Sequence, residues 1–336
     1  MARGCEVTIA ASGATALLLK DNFPGLPQLP LAGYDIAYSR SGGTFVAKIV
    51  LQIPKILRAI RRERRWLRNM QATHQFDLVI SDNRYGLNIN GLHSVIMTHQ
   101  LQIMTGFGGF ADYLMRKLHY RMLEQFDECW VVDAQEDGLA GALSHPPNIP
   151  ANAHYVGLLS QLETPAHDAE EQGQILALLS GPEPMRTILE KLIIGQASEL
   201  TENQFHIIAG NPSGKPQPHL PGHITYATHA NARELVTAIS AAQLVICRSG
   251  YSTLMDLATL GKKALLIPTP GQSEQEYLAG HLNAQGIALS RKQADLDLKQ
   301  DIAAALHYKG FSSTPHAGKP VQMQAVIDAA LKQLKN

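Results

Sequence analysis

Short apolar runs alternate with longer amphipathic segments along the chain. Most runs are continuously apolar, which is typical of strands buried on both faces of a parallel sheet. The amphipathic segments supply the helical crossovers that such a sheet requires. The pattern therefore predicts a doubly wound α/β protein. The predicted strands are 7–11, 76–81, 94–98, 128–132, 155–159, 175–180, 205–209, 244–247 and 264–268.

The boundary between two domains is visible in the composition. Residues 144–153 are rich in proline and asparagine and 163–173 are polar, which predicts a linker near 160–173. The 336 residues fit two domains at roughly 100–200 residues each. We expect two Rossmann-like domains and one more helix after them. Their ranges are 1–160, 174–318 and 321–336.

The start of the chain is unusual for this fold. Arg3 and Gly4 before an apolar run resemble the end of a helix that is followed by a strand. The first strand of a doubly wound domain usually carries a glycine-rich ligand turn, which this start does not show. We expect the first domain to lack its first strand and helix, through truncation or a misplaced start codon; a natural start at Met1 is the alternative.

Charge and cysteine usage narrow the class of protein. The 29 basic and 29 acidic residues balance, which argues against a general nucleic-acid binder. Cys5, Cys129 and Cys247 lie far apart without CxxC spacing, as expected of buried cysteines in a reducing compartment. No apolar stretch reaches the ~20 residues of a membrane span and no signal-peptide pattern is present, so we predict a cytoplasmic protein.

Two strand–turn–helix junctions in the second half carry anion-binding features. Ser180 and Gly181 end one strand, and a helix is predicted from Pro184, whose first turn exposes backbone N–H groups. Arg186 in that turn is unfavourable for the helix, which suggests that it faces a negative group, although an ordinary βα turn is the alternative. In the second junction Ser252 or Thr253 would cap the helix or bind phosphate, and Asp256 would reach ribose hydroxyls or favour the helix dipole. The candidate ligand contacts of this second junction are Arg248, Ser249, Gly250, Ser252, Thr253 and Asp256.

Two further segments follow strands or precede helices in this half. Gln275 and Glu276 lie after strand 264–268 and have the chemistry to bond sugar hydroxyls; a capping box from Ser273 to Glu276 is the alternative. Asn231 with Glu234 predicts another helix cap.

The residues from Cys247 to Asp256, followed by Gly261-Lys262-Lys263-Ala264, resemble the donor-binding domain of family 28 glycosyltransferases. This family includes the N-acetylglucosaminyltransferase of peptidoglycan-precursor synthesis, and the similarity covers about residues 174–290. The whole chain resembles a bacterial group of predicted family 28 enzymes. The segments that carry this second resemblance are 81–86, 98–101, 129–131 and 180–184.

The resemblance implies the two-domain GT-B fold, with donor and acceptor in the cleft between the domains. It also implies that the final helix, 321–336, crosses back to the first domain. It places Ser249–Thr253 on the donor diphosphate. Asp256 stands where the family has a ribose-binding glutamate, and it is one methylene shorter. Gln275 and Glu276 stand where the family has a glutamine pair that holds the sugar, so Glu276 departs from the pattern.

The first half supplies candidates for proton transfer and membrane contact. Asp82 and His99 each follow an apolar strand and are candidate general bases, or else residues that order the cleft loops. Residues 106–110 predict a mobile loop over the cleft. The basic amphipathic segment Arg58–Arg68 predicts either contact with anionic lipid or a solvated helix face.

These observations predict an inverting, metal-independent transfer of a sugar, N-acetylhexosamine by preference, from a UDP carrier to an acceptor that the sequence does not identify. Helix N-termini would stabilise the departing diphosphate, and no cofactor is required. Three alternatives remain: a UDP-sugar epimerase of similar fold, a donor-binding module impaired by truncation, and a dinucleotide-dependent oxidoreductase. The last is disfavoured because no G-x-G-x-x-G follows a strand.

Overall fold

A computed structural model of the chain describes residues 4–33, 45–103, 108–160, 162, 173–211, 214, 219–313 and 323–334. Side chains are described from Pro54 onward in the helix that begins at Phe45. The described residues form three parallel sheets, of two, four and six strands. Predictions for Arg3, for residues 106–107 and for most of the linker 160–173 lie outside this part of the chain.

The first domain contains the two smaller sheets. Strands β3 to β6 lie side by side in chain order, and β1 pairs with β2 around helix α1. The predicted strand 155–159 is displaced, since β6 ends at Tyr155, and β2 was not predicted. The elements are β1 (Ile9–Ala11), α1 (Gly13–Asn22), β2 (Gln28–Pro30), α2 (Phe45–His74), β3 (Leu78–Asp82), β4 (His93–Thr98), α3 (Gly109–Leu123), β5 (Glu128–Val131) and β6 (Ala153–Tyr155).

The second domain is doubly wound. Its strand order is β12-β11-β10-β7-β8-β9, so the chain leaves the central pair β7 and β10 in opposite directions. The structure confirms strand 244–247 and the Asn231–Glu234 capping box, whereas β9 and β12 were not predicted. The elements are β7 (Gln174–Leu178), α4 (Met185–Ala197), β8 (Gln204–Ile208), β9 (Ile224–Ala227), α5 (Ala232–Ala241), β10 (Leu244–Cys247), α6 (Tyr251–Leu260), β11 (Ala264–Leu266), α7 (Ser273–Ala284), β12 (Leu289–Ser290), α8 (Leu298–Leu306) and α9 (Met323–Gln333).

One hydrophobic core joins the two domains. It includes Trp130 and Val156 of the first domain together with Leu176 and Leu254 of the second, all essentially inaccessible to solvent. Helix α9 packs against the same core through Ala330. The carboxyl ends of the four-stranded and six-stranded sheets face each other across a cleft, because His99 after β4 contacts Glu274 in α7, the helix that follows β11.

Two of the three cysteines are buried as predicted, whereas Cys5 is half-buried. Cys129 and Cys247 are buried free thiols, and burial raises the pKa of each to about 12. Among the described residues, no helix has the length and apolar character needed to cross a bilayer.

Candidate functional site

The centre of the second sheet is a topological switch point. Strands β7 and β10 are neighbours, and the chain turns away from them on opposite sides, which opens a crevice at their carboxyl ends. Ligands of open α/β sheets bind in such crevices. The Ser180-Gly181 turn after β7 and the Ser249-Gly250 turn after β10 border it. Gly181 is exposed and adopts a φ of +105°, a conformation that favours glycine.

The N-terminus of α6 faces this crevice without a side-chain cap. Gly250 is the N-cap, so the prediction that Ser252 or Thr253 caps this helix is wrong. Ser252 is exposed and Thr253 half-buried in the first turn. The first-turn N–H groups and two hydroxyls are thus available to an anion at the positive end of the helix dipole.

Arg186 contacts carboxylates of its own chain. Its Nη1 donates to Glu190 at 2.7 Å, its Nε donates to Glu183 at 2.7 Å, and the side chain is 6% exposed. These carboxylates are the negative groups that Arg186 meets within the protein, and its contact with a donor phosphate stays a prediction.

Arg248 and Ser249 hold the turns around the crevice together. The buried Arg248 guanidinium donates to the carbonyls of Met185, Ile267 and Pro268, and burial lowers its pKa to about 10. Ser249 Oγ donates to the Gln275 carbonyl at 2.8 Å. Both side chains bond groups of the protein, and their role as direct ligand contacts stays a prediction.

The turn after β11 is fixed by the two predicted sugar-binding residues. Gln275 Oε1 accepts from the Thr269 amide at 2.9 Å, and Glu276 Oε1 accepts from the Gly271 amide at 3.0 Å. Helix α7 has Gln272 as its N-cap without a side-chain bond, so the Ser273–Glu276 capping box is wrong. Gln275 and Glu276 shape the turn beside the crevice.

Asp256 lies one turn inside α6 and already has a partner. Its Oδ1 accepts from Ser160 Oγ, at the end of the first domain, at 2.6 Å. Burial raises the pKa of Asp256 to about 6, and the Ser160 hydrogen bond opposes the rise. A ribose at this position would have to compete with Ser160 for the carboxylate.

Asp82 and His99 approach the crevice from the first domain. Asp82 ends β3 and is exposed; burial of the carboxyl still raises its pKa, an effect that His99 and Asn83 oppose. His99 follows β4, and its Nε2 lies 2.9 Å from Glu274 Oε1 in α7. Its ring stacks on Tyr251 with centroids 4.3 Å apart. The fold thus brings both predicted bases to the cleft.

Sequence reasoning missed a loop after β5 that completes the contact between domains. The buried Asp133 accepts hydrogen bonds from the amides of Leu139 and Ala140, which fixes the loop. The Ala142 amide then donates to Tyr277 Oη of α7 at 2.8 Å. The sequence feature that could have predicted this loop is the polar Asp133 directly after an apolar strand. Asp82 became a candidate through the same pattern. Within the described ranges, no group of three or more His, Cys, Asp or Glu residues could hold a metal ion.

Comparisons with known structures identify the fold. The chain superimposes on MurG from Acinetobacter baumannii with a TM-score of 0.57 and 18% identity, over 98% of this chain and 92% of that one. It also matches the spinosyn rhamnosyltransferase SpnG complexed with thymidine diphosphate, with a TM-score of 0.63 and 18% identity over 100% and 93% of the two chains. The chain has the GT-B fold of glycosyltransferases.

The second domain belongs to a sequence family. Residues 186–322 match the glycosyltransferase family 28 C-terminal domain, and we assign the second domain to it. A relative from Methylobacterium radiotolerans, named UDP-N-acetylglucosamine--N-acetylmuramyl-(pentapeptide) pyrophosphoryl-undecaprenol N-acetylglucosamine transferase, is 36% identical over 100 residues. That match spans 29% of this chain and 25% of the length of the relative.

Proposed function

We propose that the chain is an inverting glycosyltransferase that moves an N-acetylhexosamine from a UDP carrier to an acceptor hydroxyl without a metal. The observation that carries the proposal is the crevice at the β7–β10 switch point, bordered by two glycine turns and by the uncapped N-terminus of α6. The family 28 domain, the name of the Methylobacterium relative and the thymidine diphosphate of SpnG support a nucleoside diphosphate there.

The α6 terminus has the chemistry to stabilise a leaving diphosphate. Backbone N–H groups and the hydroxyls of Ser252 and Thr253 would donate to the phosphate oxygens, and the helix dipole would offset their charge. Arg248 and Gln275 serve this site indirectly, because they fix the turns that border it. The base candidates Asp82 and His99 lie on the other wall of the cleft, where an acceptor hydroxyl would be deprotonated.

We further propose a lipid-linked acceptor at the inner face of a membrane, with the protein in the cytoplasm and in peripheral contact. Within Arg58–Arg68, Arg58, Arg61, Arg65 and Arg68 are exposed on α2. Arg62 and Arg64 instead donate to Gly33 and to Asn88 and Gln125, respectively, so they anchor the helix to its own domain. Helix α3 adds an exposed apolar face suited to the same contact.

The donor site is tested by isothermal titration of UDP. Removing the two first-turn hydroxyls in Ser252→Ala/Thr253→Ala should weaken binding at least tenfold, since a hydrogen bond to a charged group contributes about 1.5–3 kcal/mol. Thr259→Ala is the matched control: Thr259 lies in the last turn of the same helix and bonds Met255. Equal affinity of the double variant and wild type would refute the assignment of α6. UDP binding without sugar transfer to any hydroxyl acceptor would refute the transferase and leave a donor-binding module.

A further inference from the structure

His99 is held by two contacts from the opposite domain. Its Nε2 lies 2.9 Å from Glu274 Oε1, a residue 175 positions away in the first turn of α7. Its ring lies almost parallel to that of Tyr251, with centroids 4.3 Å apart and an interplanar angle of 13°. The side chains of His99 and Glu274 are 17% and 35% exposed, so the pair sits at the wall of the cleft.

The contacts determine which nitrogen of His99 is available. An ionised carboxylate only accepts hydrogen bonds, so the Nε2 that faces Glu274 carries a proton. The lone pair then resides on Nδ1. Stacking on Tyr251 holds the plane of the ring. Tyr251 is itself the first residue of α6, whose N-terminus faces the crevice.

We propose that Glu274 is a positioning residue that holds His99 as the proton acceptor of the reaction, so that the base is assembled only when the two domains meet. This inference rests on the proposed function. In the step, Nδ1 takes the proton of the acceptor hydroxyl, and the oxygen electron pair forms the bond to C1 of the sugar. The bond from C1 to the diphosphate oxygen breaks, and its electron pair leaves with UDP. Glu274 stabilises the imidazolium that results.

Other groups near His99 do not supply this function. Asp82 faces His99 from β3 and forms a hydrogen bond with Asn83, and no hydrogen bond joins Asp82 to the imidazole in the described structure. Tyr251 stacks on the His99 ring but is buried, and burial keeps its pKa well above the ordinary value. Glu274 alone pairs a carboxylate with a ring nitrogen of His99 in the part of the chain that is described.

An acid in the first turn of a helix also has a purely local explanation, because it favours the helix dipole. A local role would stabilise α7 without affecting His99. The two explanations therefore differ in whether Glu274 acts through His99, which the imidazole tautomer and a double-mutant cycle both report.

The tautomer is read from long-range ¹H–¹⁵N correlation spectra of protein labelled at its 14 histidines. The His99 signals are assigned by their loss in His99→Ala. Wild type and the control Glu199→Gln, an exposed carboxylate beyond the far end of α4, should show the proton on Nε2. Glu274→Ala should show a mixture of tautomers. An unchanged tautomer in Glu274→Ala would overturn the proposal.

The kinetic arm uses UDP-N-acetylglucosamine as the probe and UDP release as the readout, with water in place of the acceptor hydroxyl. Glu274→Gln should lower kcat at least tenfold with KM for the donor unchanged, and should have no further effect in a His99→Ala background. Multiplicative effects of the two changes would overturn the proposal. If wild type binds UDP but releases none from the donor with water or with any hydroxyl acceptor, the proposed transfer fails, while the tautomer still decides whether Glu274 positions His99.

Discussion

At the residue scale, the polar side chains of the crevice divide into those that build it and those that face it. Arg186 and Arg248 are the two arginines among the predicted donor contacts. Both donate hydrogen bonds to groups of the protein itself. Ser252 and Thr253 remain available to a ligand, since Gly250 provides the cap. Nearby carbonyls satisfy most donors of the buried Arg248 guanidinium, whereas its Nε has no partner among the described residues.

Asp256 gives a pH-dependent prediction. Its folded pKa of about 6 exceeds the ordinary value of 3.8, so the native state holds the proton more tightly than the unfolded state. Stability should therefore fall as pH rises from about 4 to 6, by about 1–2 kcal/mol after allowance for solvent screening. In Asp256→Asn this decrease should be absent. Urea unfolding at several pH values measures it, with the exposed Asp295→Asn as control. Parallel curves for wild type and Asp256→Asn would contradict the assignment.

At the element scale, helix α3 has an apolar face that its own domain leaves exposed. Phe110, Tyr113, Leu114 and Leu118 are 82%, 51%, 59% and 47% exposed at helical spacing. Beside them, Arg116, Lys117 and Arg121 line a cavity of about 330 Å³. The predicted loop 106–110 is corrected at its end, because Gly109 and Phe110 belong to this helix. An apolar face bordered by cations suits an anionic membrane surface.

We expect substitutions on α3 and on α2 to weaken membrane binding in different ways. Leu114→Gln/Leu118→Gln on α3 should weaken binding to phosphatidylglycerol vesicles at least tenfold at every salt concentration, since each fully buried leucine contributes about 1.5–3 kcal/mol. Arg61→Gln/Arg65→Gln on α2 should remove mainly the salt-sensitive part, at about 1 kcal/mol per charge. Vesicle flotation measures both, with the exposed Ile188→Gln of α4 as control. Unchanged flotation of the leucine variant would exclude α3.

At the scale of the whole molecule, the domains are joined by a common core as well as by polar contacts across the cleft. The core extends from Trp130 to Leu254, and the cleft is bridged at His99–Glu274, Ala142–Tyr277 and Ser160–Asp256. Since the core is shared, loss of packing in one domain exposes apolar surface of the other. The domains should therefore unfold together.

Tryptophan fluorescence reports on unfolding of the first domain, because both tryptophans, Trp66 and Trp130, lie in that domain. Urea unfolding followed by tryptophan fluorescence and by far-UV circular dichroism should give coincident midpoints. UDP should raise both midpoints equally, since ligand binding to the native state stabilises the whole cooperative unit. Two separated transitions, or a UDP effect on circular dichroism alone, would show that the domains unfold independently.

The sequence by itself determined the class of fold and the location of the crevice. Continuous apolar runs marked most strands of both domains, and glycine after β7 and β10 marked the turns, because burial and backbone conformation leave local patterns. The strands β2, β9 and β12 were not predicted, because strands of so few residues show little periodicity of apolar positions.

The tertiary structure alone decided which candidates are free to act. Arg186 could not be matched to Ala209, nor Arg248 to Gln293, from their positions in the chain. The pairing of His99 with Glu274 joins two domains and depends on how they pack. Hydrogen-bond partners distant in sequence are set by the three-dimensional arrangement of the elements. The Asn231–Glu234 cap is local and was predicted correctly, whereas the caps predicted for α6 and α7 were wrong.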